Sequence, residues 1–243
     1  MSAARQLWVV RLGAMPYGEA LELQRAAARA RITGAIPQDL LLLVEHEPVV
    51  TMGRTAKQQN LTASAELLAA RGVQLFEVER GGDVTYHGPG QLVGYPIVDL
   101  KRHKQDLHWY LRQVEEAIIF AVAEHGLSGE RSAGYTGVWT RGVAGGAEHP
   151  PRKLTSIGVH ARDWVTWHGF ALNVTTELSY FDLIVPCGIA GVDMTSMSRE
   201  LGSMVAMHDA EDAVVRGFAR VFDLGPLDTS LDALALGAVS AER

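Results

Sequence analysis

Lys153-Leu154-Thr155-Ser156-Ile157-Gly158-Val159-His160 decides how this chain folds, together with the apolar runs that follow it, Trp164 to Trp167 and Phe170 to Val174. The three read as consecutive short strands with no helix between them. Upstream the pattern changes. Gln6 to Leu12 reads as a strand, Tyr17 to Arg31 has leucine and alanine at helical density ending near Gly34, and Leu40 to Val44 is a continuous apolar run of the kind buried on both sheet faces. Thr62 to Ala70 predicts a helix stopped by Gly72, Val73 to Val78 a half-buried strand, and Arg80 to Gln91 a glycine-dense loop leading into a strand from Leu92 to Val98. Asp106 can cap a helix whose apolar face is Leu107, Tyr110, Leu111, Val114, Ile118 and Val122. Gly142 to Pro151 reads as a surface loop, and Val214, Phe218, Val221 and Phe222 mark a late amphipathic helix. Strands that interleave with helices but also follow one another directly give an α/β chain of the α+β type, with mixed β-sheets and flanking helices rather than a doubly wound sheet. With no internal repeat and no linker, residues 1–225 are expected to form one domain and 226–243 a C-terminal tail of unknown role.

The 243 residues are 47% hydrophobic and 21% charged, ordinary for a globular protein and unlike extended disorder. A net charge of -6 disfavours a general nucleic-acid binder. Arg5, Arg11, Arg25, Arg29 and Arg31 cluster early and read as a solvated helix face. Leu7 to Val10, interrupted by Arg11, is too short for a secretory core, and no apolar run approaches the roughly 20 residues that cross a bilayer. One cysteine permits no internal disulfide, so cytoplasmic localisation is expected, with neither membrane nor nucleic acid as partner.

Three segments carry chemistry. Arg80-Gly81-Gly82-Asp83-Val84-Thr85-Tyr86-His87-Gly88-Pro89-Gly90-Gln91 holds four glycines and a proline. It is either a tight path whose N–H groups meet a ligand or a turn-rich connection. No Gly-Lys-Ser/Thr follows, so it is not a nucleotide P-loop. Val185-Pro186-Cys187-Gly188-Ile189 places the single cysteine in a backbone turn, where Gly188 would let a carbonyl group approach the N–H beside the sulfur. The competing reading is a small buried hydrophobe. Arg152-Lys153-Leu154-Thr155-Ser156-Ile157-Gly158 sets one of only four lysines at the mouth of an apolar strand. A lysine there can lose its proton, as arginine cannot, or it can simply snorkel to water. The nine histidines form no His-Glu-x-x-His pattern and no metal site is expected. No Gly-x-Ser-x-Gly elbow is present.

Taken in order, these segments resemble the lipoyl(octanoyl) transferase family. The resemblance is carried by Leu41 through Pro48, Gly53-Arg54, Arg80 through Gln91, Gly137-Val138-Trp139, Lys153 through Gly158, His168 through Asn173 and Val185 through Ile189, and it spans roughly residues 6 to 203. It implies a fold similar to the catalytic domain of biotin and lipoate protein ligases. It implies an acyltransferase of lipoate biosynthesis that moves octanoyl from octanoyl-acyl carrier protein to a lysine of lipoyl domains. Those acceptors are the 2-oxo-acid dehydrogenase acyltransferase subunits and the glycine-cleavage H protein, and neither ATP nor a metal cofactor is needed. The nucleophile maps onto Cys187, carried as an acyl thioester, and its partner lysine onto Lys153. Substrate contacts map onto Arg80, Gly81, Gly82, Asp83, Val84, Thr85, Tyr86 and His87, onto Ser156, Ile157 and Gly158, and onto Gly169, Phe170 and Ala171. Two positions depart from the family pattern: Asp83 stands at a variable place, and His160 stands where arginine is more usual. Tyr86, His87, Phe170 and Leu172 are the expected walls of an acyl slot.

Overall fold

The computed structural model describes residues 5–189 and 191–236. Its centre is strand β2 (Asp39–Glu45), the continuous apolar run of the sequence. Leu41 and Leu43 point into one core, while Leu40, Leu42 and Val44 point into another on the opposite face. Alternation with period two therefore buries every position of this strand, because both faces are covered. All four leucines are fully buried, so truncating any one of them to alanine costs about 2–5 kcal/mol.

Around β2 an eight-stranded mixed sheet is built. On one side β1 (Gln6–Ala14) pairs with β2 in parallel, after the crossover helix α1 (Tyr17–Thr33). On the other side runs an antiparallel series. It begins with β6 (Gln91–Ile97) and continues through β10 (Val165–Asn173), β9 (Arg152–Arg162) and β8 (Gly137–Val143) to β7 (Leu127–Glu130). A smaller sheet of three strands holds β3 (Val49–Met52) between β4 (Gln74–Glu77) and β5 (Val84–His87). Helix α2 (Ala65–Ala70), capped by Ser64, precedes β4. Helices α3 (Leu107–Glu124) and α5 (Met207–Phe222) pack together over the Leu41 face, and α1 covers the Leu42 face. Short helix α4 (Met197–Leu201) follows the cysteine turn.

The fold class is the expected one, but three local expectations need correction. Trp164 to Trp167 and Phe170 to Val174 are not two strands. They belong to one strand, β10, and Trp164 sits with Asp163 in the two-residue β9–β10 turn. Both turn residues have positive φ (51° and 64°), the conformation that lets a two-residue hairpin follow the twist of its strands. The glycine-dense segment is likewise not all loop, because Val84–His87 forms β5 on β3. Thirdly, β11 (Gly225–Asp228) pairs in parallel with β1, so the main sheet continues across the boundary expected at 225/226.

Candidate active site

Lys153 is the second residue of β9 and is fixed through its backbone before its side chain does anything. Its N–H donates to Asp193 O (2.7 Å) and its carbonyl accepts from Thr195 N–H (2.9 Å). The side chain is 1% exposed and runs beside Gly137, with its ammonium 4.9 Å from the Trp139 ring centroid. This removes the snorkelling alternative: the cation does not reach water. It ends 3.1 Å from Cys187 Sγ. Residues 34 positions apart in the chain thus meet at one point.

Cys187 stands in a single turn, Pro186–Gly188, in the left-handed region (φ 56°, ψ 19°). That conformation is uncommon for a residue with a side chain and needs surrounding structure to hold it. The holding groups are visible. Val185 N–H donates to Asn60 O (2.7 Å), and the N–H groups of Thr62 and Ala63 both donate to Leu183 O (3.0 Å). Asp83 then locks this layer to the glycine-dense segment. Its Oδ2 accepts from Asn60 Nδ2 (2.6 Å), and its Oδ1 accepts from Val84 N–H (2.7 Å) and Lys57 N–H (3.3 Å). Asp83 therefore joins the two sequence segments that carry the chemistry. Gly188 leans on it: with φ at 67°, a Cβ there would lie 2.5 Å from Asp83 Oδ2. Gly188→Ala is expected to displace the sulfur and slow turnover by roughly 10–100-fold, and to lower the melting temperature by a few degrees because a side chain at this φ costs about 1 kcal/mol. Steady-state rates set beside a thermal melt check this.

The expected oxyanion donor beside the sulfur is already engaged. Gly188 N–H donates to Val185 O (2.9 Å) and Ile189 N–H to Pro186 O (3.1 Å). Ser156, whose Oγ is 3.7 Å from Sγ, is the polar neighbour that does face the thiol.

From Cys187 a cavity runs inward between the two sheets. Of the expected site residues, Arg80, Gly82, Asp83, Thr85, His87, Lys153, Ser156, Ile157, Gly158, Gly169, Phe170, Ala171 and Cys187 line it. Gly81, Val84 and Tyr86 stand behind the wall. Alternation along β5 turns Thr85 and His87 inward and sends Val84 and Tyr86 to a separate core, where Tyr86 stacks on Tyr180. Leu172 also points away, into the core under α3 and α5. Gly81 supports the wall by donating its N–H to Val159 O (2.8 Å). Gly169 has no room for a side chain, since a Cβ would come within 2.1 Å of Gly94 O on the neighbouring strand. His160 is not part of the wall. Its ring packs at a tilt of 58° against Trp167 and bonds Glu79 O (3.1 Å).

The sequence reading missed Tyr17, Val93, Tyr95, Tyr135 and Ile189 and left His168 unassigned, although all six line the cavity. Tyr17 opens α1 directly after Pro16, and Tyr135 lies in the short Gly134–Gly137 passage before β8. A tyrosine beside a glycine or a proline at an element boundary is the one signal that could have raised either.

Away from Lys153 and Asp83, the titratable groups at and behind the inner wall are mostly held uncharged. Burial pushes the Tyr17 phenol up to about 12. Burial also pushes His46 down from 6.5 to about 4, and His87 down to about 3. His46 is held by Met15 O (2.8 Å) and Tyr95 Oη (2.6 Å), and His87 by Gln91 Oε1 (2.8 Å). Arg80 is the exception. It is buried, and it donates to Thr51 O (2.6 Å), Thr51 Oγ1 (2.9 Å) and Gly81 O (3.2 Å), all neutral acceptors. Among the described residues it makes no ion pair, and burial lowers its pKa.

The two neutral histidines carry a pH prediction. Below pH 6.5 the unfolded chain binds protons on both, while the folded chain refuses them until about pH 4 and 3, so stability rises with pH in this window. It is complete above 6.5 and is lost as pH falls, by on the order of 3 kcal/mol for His46 alone. Urea unfolding at pH 7 and pH 4.5 should show the fall, and His87→Gln should flatten it.

A family model described as the lipoyl protein ligase A/B catalytic domain matches residues 16–219. The chain is 49% identical over 216 residues to an octanoyltransferase of Koribacter versatilis, covering 88% of this chain and 83% of that one. It is 45% identical over 225 residues to an octanoyltransferase of Chloroflexus aggregans, covering 92% and 98%. Among solved structures it is similar to a putative lipoate protein ligase from T. acidophilum with bound lipoic acid (TM-score 0.73, 16% identity, 96% of this chain and 93% of that one). It is also similar to a lipoate-protein ligase A bound with ATP (TM-score 0.72, 15% identity, 98% and 95%). At such identities these two structures establish the fold alone.

Proposed function

The chain belongs to the lipoyl protein ligase A/B catalytic domain family, and from that premise we propose that it is an octanoyltransferase working through a thioester on Cys187. The donor is octanoyl on the phosphopantetheine thioester of acyl carrier protein. The acceptor is a lysine of a lipoyl domain, in a 2-oxo-acid dehydrogenase acyltransferase subunit or a glycine-cleavage H protein. The observation that carries this reading is the 3.1 Å approach of the buried Lys153 ammonium to the Cys187 sulfur at a cavity.

A thiolate is the nucleophilic form of cysteine, and an adjacent cation favours it. Attack on the donor exchanges one thioester for another, so the step is nearly balanced and needs no ATP. The departing phosphopantetheine thiolate takes a proton, for which the Lys153 ammonium is the nearest source. Once the sulfur is acylated its charge is gone. Lys153, neutral and enclosed, can then accept the proton that the acceptor amine must lose when it attacks the thioester carbonyl. Arg80, a buried cation without a carboxylate, adds positive potential where the thiolate and the tetrahedral oxyanion carry negative charge. Phe170, Ala171, Val93 and Ile157 supply apolar wall for the acyl chain, whose methylenes contribute about 0.8 kcal/mol each when buried. The setting is cytoplasmic, where such a thiol stays reduced.

A ligase is the competing reading, because the same fold occurs in a lipoate-protein ligase A bound with ATP. It predicts activation of a free acid as an adenylate and no use for Cys187. The two separate in one assay: octanoyl-acyl carrier protein and a lipoyl domain without nucleotide, against octanoate with ATP and magnesium. Acylated lipoyl domain is expected in the first mixture only. Product confined to the second would replace the transferase reading by the ligase one.

A further inference from the structure

We propose that the Lys153–Cys187 pair is also a redox-modification site, at which hydrogen peroxide joins the two side chains through a covalent sulfur–nitrogen bond. Three observations converge on it. The Lys153 nitrogen lies 3.1 Å from sulfur. It cannot swing away when the sulfur changes state, because the side chain is enclosed, with Trp139 against the ammonium and the Gly137 backbone beside Cε. Cys187 itself is partly exposed, so a molecule as small as peroxide reaches it. The sequence holds no second cysteine, which removes the ordinary fate of a sulfenic acid, an internal disulfide. Ser156 Oγ, at 3.7 Å, is a far weaker nucleophile toward sulfur than an amine. An oxidised sulfur at this place meets nitrogen first.

The chemistry balances with one equivalent of oxidant. Written for the thiolate–ammonium form, the sulfur lone pair attacks one peroxide oxygen and the O–O bond breaks. The product is Cys187 sulfenic acid, and the departing hydroxide takes a proton from the Lys153 ammonium to become water. The lysine is left as a neutral amine facing an electrophilic sulfur. Its lone pair forms the S–N bond as the S–O bond breaks, and the second hydroxide leaves with the nitrogen's extra proton as another water. Sulfur has lost two electrons to peroxide, and the pair has lost two hydrogens. A low-molecular-weight thiol attacking the sulfur frees the amine and leaves a mixed disulfide, and a second thiol equivalent then releases the Cys187 thiol as the small-molecule disulfide departs. The cross-link would silence the nucleophile during oxidative stress while shielding it from irreversible sulfinic and sulfonic acids. This chemistry needs only the geometry of the pair and would stand if the acyl-transfer reading failed.

The test is peptide mapping and intact mass of the full-length wild-type chain as hydrogen peroxide is raised from one equivalent to about five. The expected product has lost about 2 Da, appears as a peptide joining positions 153 and 187, and reverts with dithiothreitol. In Lys153→Arg, which keeps a cation but lacks the amine, Cys187 should instead gain about 32 and then 48 Da. Should that variant fail to fold, the wild-type map decides alone. Sulfinic or sulfonic acid on Cys187, with the Lys153 peptide unmodified and no joined peptide, overturns the proposal.

Discussion

Cys187→Ala is expected to lower octanoyl transfer by at least ~10³-fold while shifting the melting temperature by only a few degrees. The two halves of this expectation have separate causes. Activity falls because no other side chain at the cavity can carry the acyl group. Ser156, the nearest hydroxyl, is a far weaker acid than a thiol, and an ammonium beside it does not make it a comparable nucleophile. Stability holds because Cys187 is partly exposed in its turn and packs in none of the apolar cores, so alanine leaves no void. Alanine also suffers the left-handed φ of 56° no more than cysteine does. Steady-state transfer to a lipoyl domain, beside a circular-dichroism melt, gives both numbers. A folded alanine variant that kept wild-type turnover would remove the covalent route.

The second large effect is at Lys153, and here two substitutions give different results. Lys153→Arg keeps a cation near the sulfur, so a first acyl load should still form, but guanidinium does not release a proton. Steady-state turnover should fall by roughly 10²–10⁴-fold with a burst retained. Lys153→Met removes the charge as well, so loading and turnover should both fall. Its fold should survive, because an apolar chain of similar length replaces a buried cation. Single-turnover loading and steady-state rates, measured on both variants, separate the two roles. Equal loading in the methionine variant and the wild type would show that the ammonium does nothing for the sulfur.

Much of this architecture was legible in the residues, and the failures share a cause. Leu40 to Val44 announced a strand covered on both faces, and Asp106 announced its helix by capping chemistry, its carboxylate accepting from Trp109 N–H (3.0 Å). These are local signals. The Asp163–Trp164 turn was misread because Asp163 has no glycine after it to complete the usual turn signal, and a tryptophan normally argues for strand. Val84–His87 was hidden inside a glycine count, since its partner β3 is distant in sequence. The site behaved in the same way. Cys187 and Lys153 stood out by rarity and setting, but nothing local says that a lysine at the end of a strand is closed in by Trp139. Nor could Asp83 be understood from its neighbours. Its partners Lys57, Asn60 and Gly188 lie on two other segments, and only the folded chain brings them to one carboxylate. Tyr17 and Tyr95 reach the cavity from an α-helix and a buried strand, by tertiary packing that no motif encodes.

The central claim is that the acyl group rests on sulfur before it reaches an amine. Wild-type protein mixed with octanoyl-acyl carrier protein, without a lipoyl domain, and quenched in acid for intact-mass and peptide analysis tests it most directly. The account predicts a gain of one octanoyl group, mapped to Cys187, labile to hydroxylamine, and discharged when a lipoyl domain is added. An unmodified chain under conditions where complete transfer is fast, or an octanoyl group found elsewhere, would contradict it.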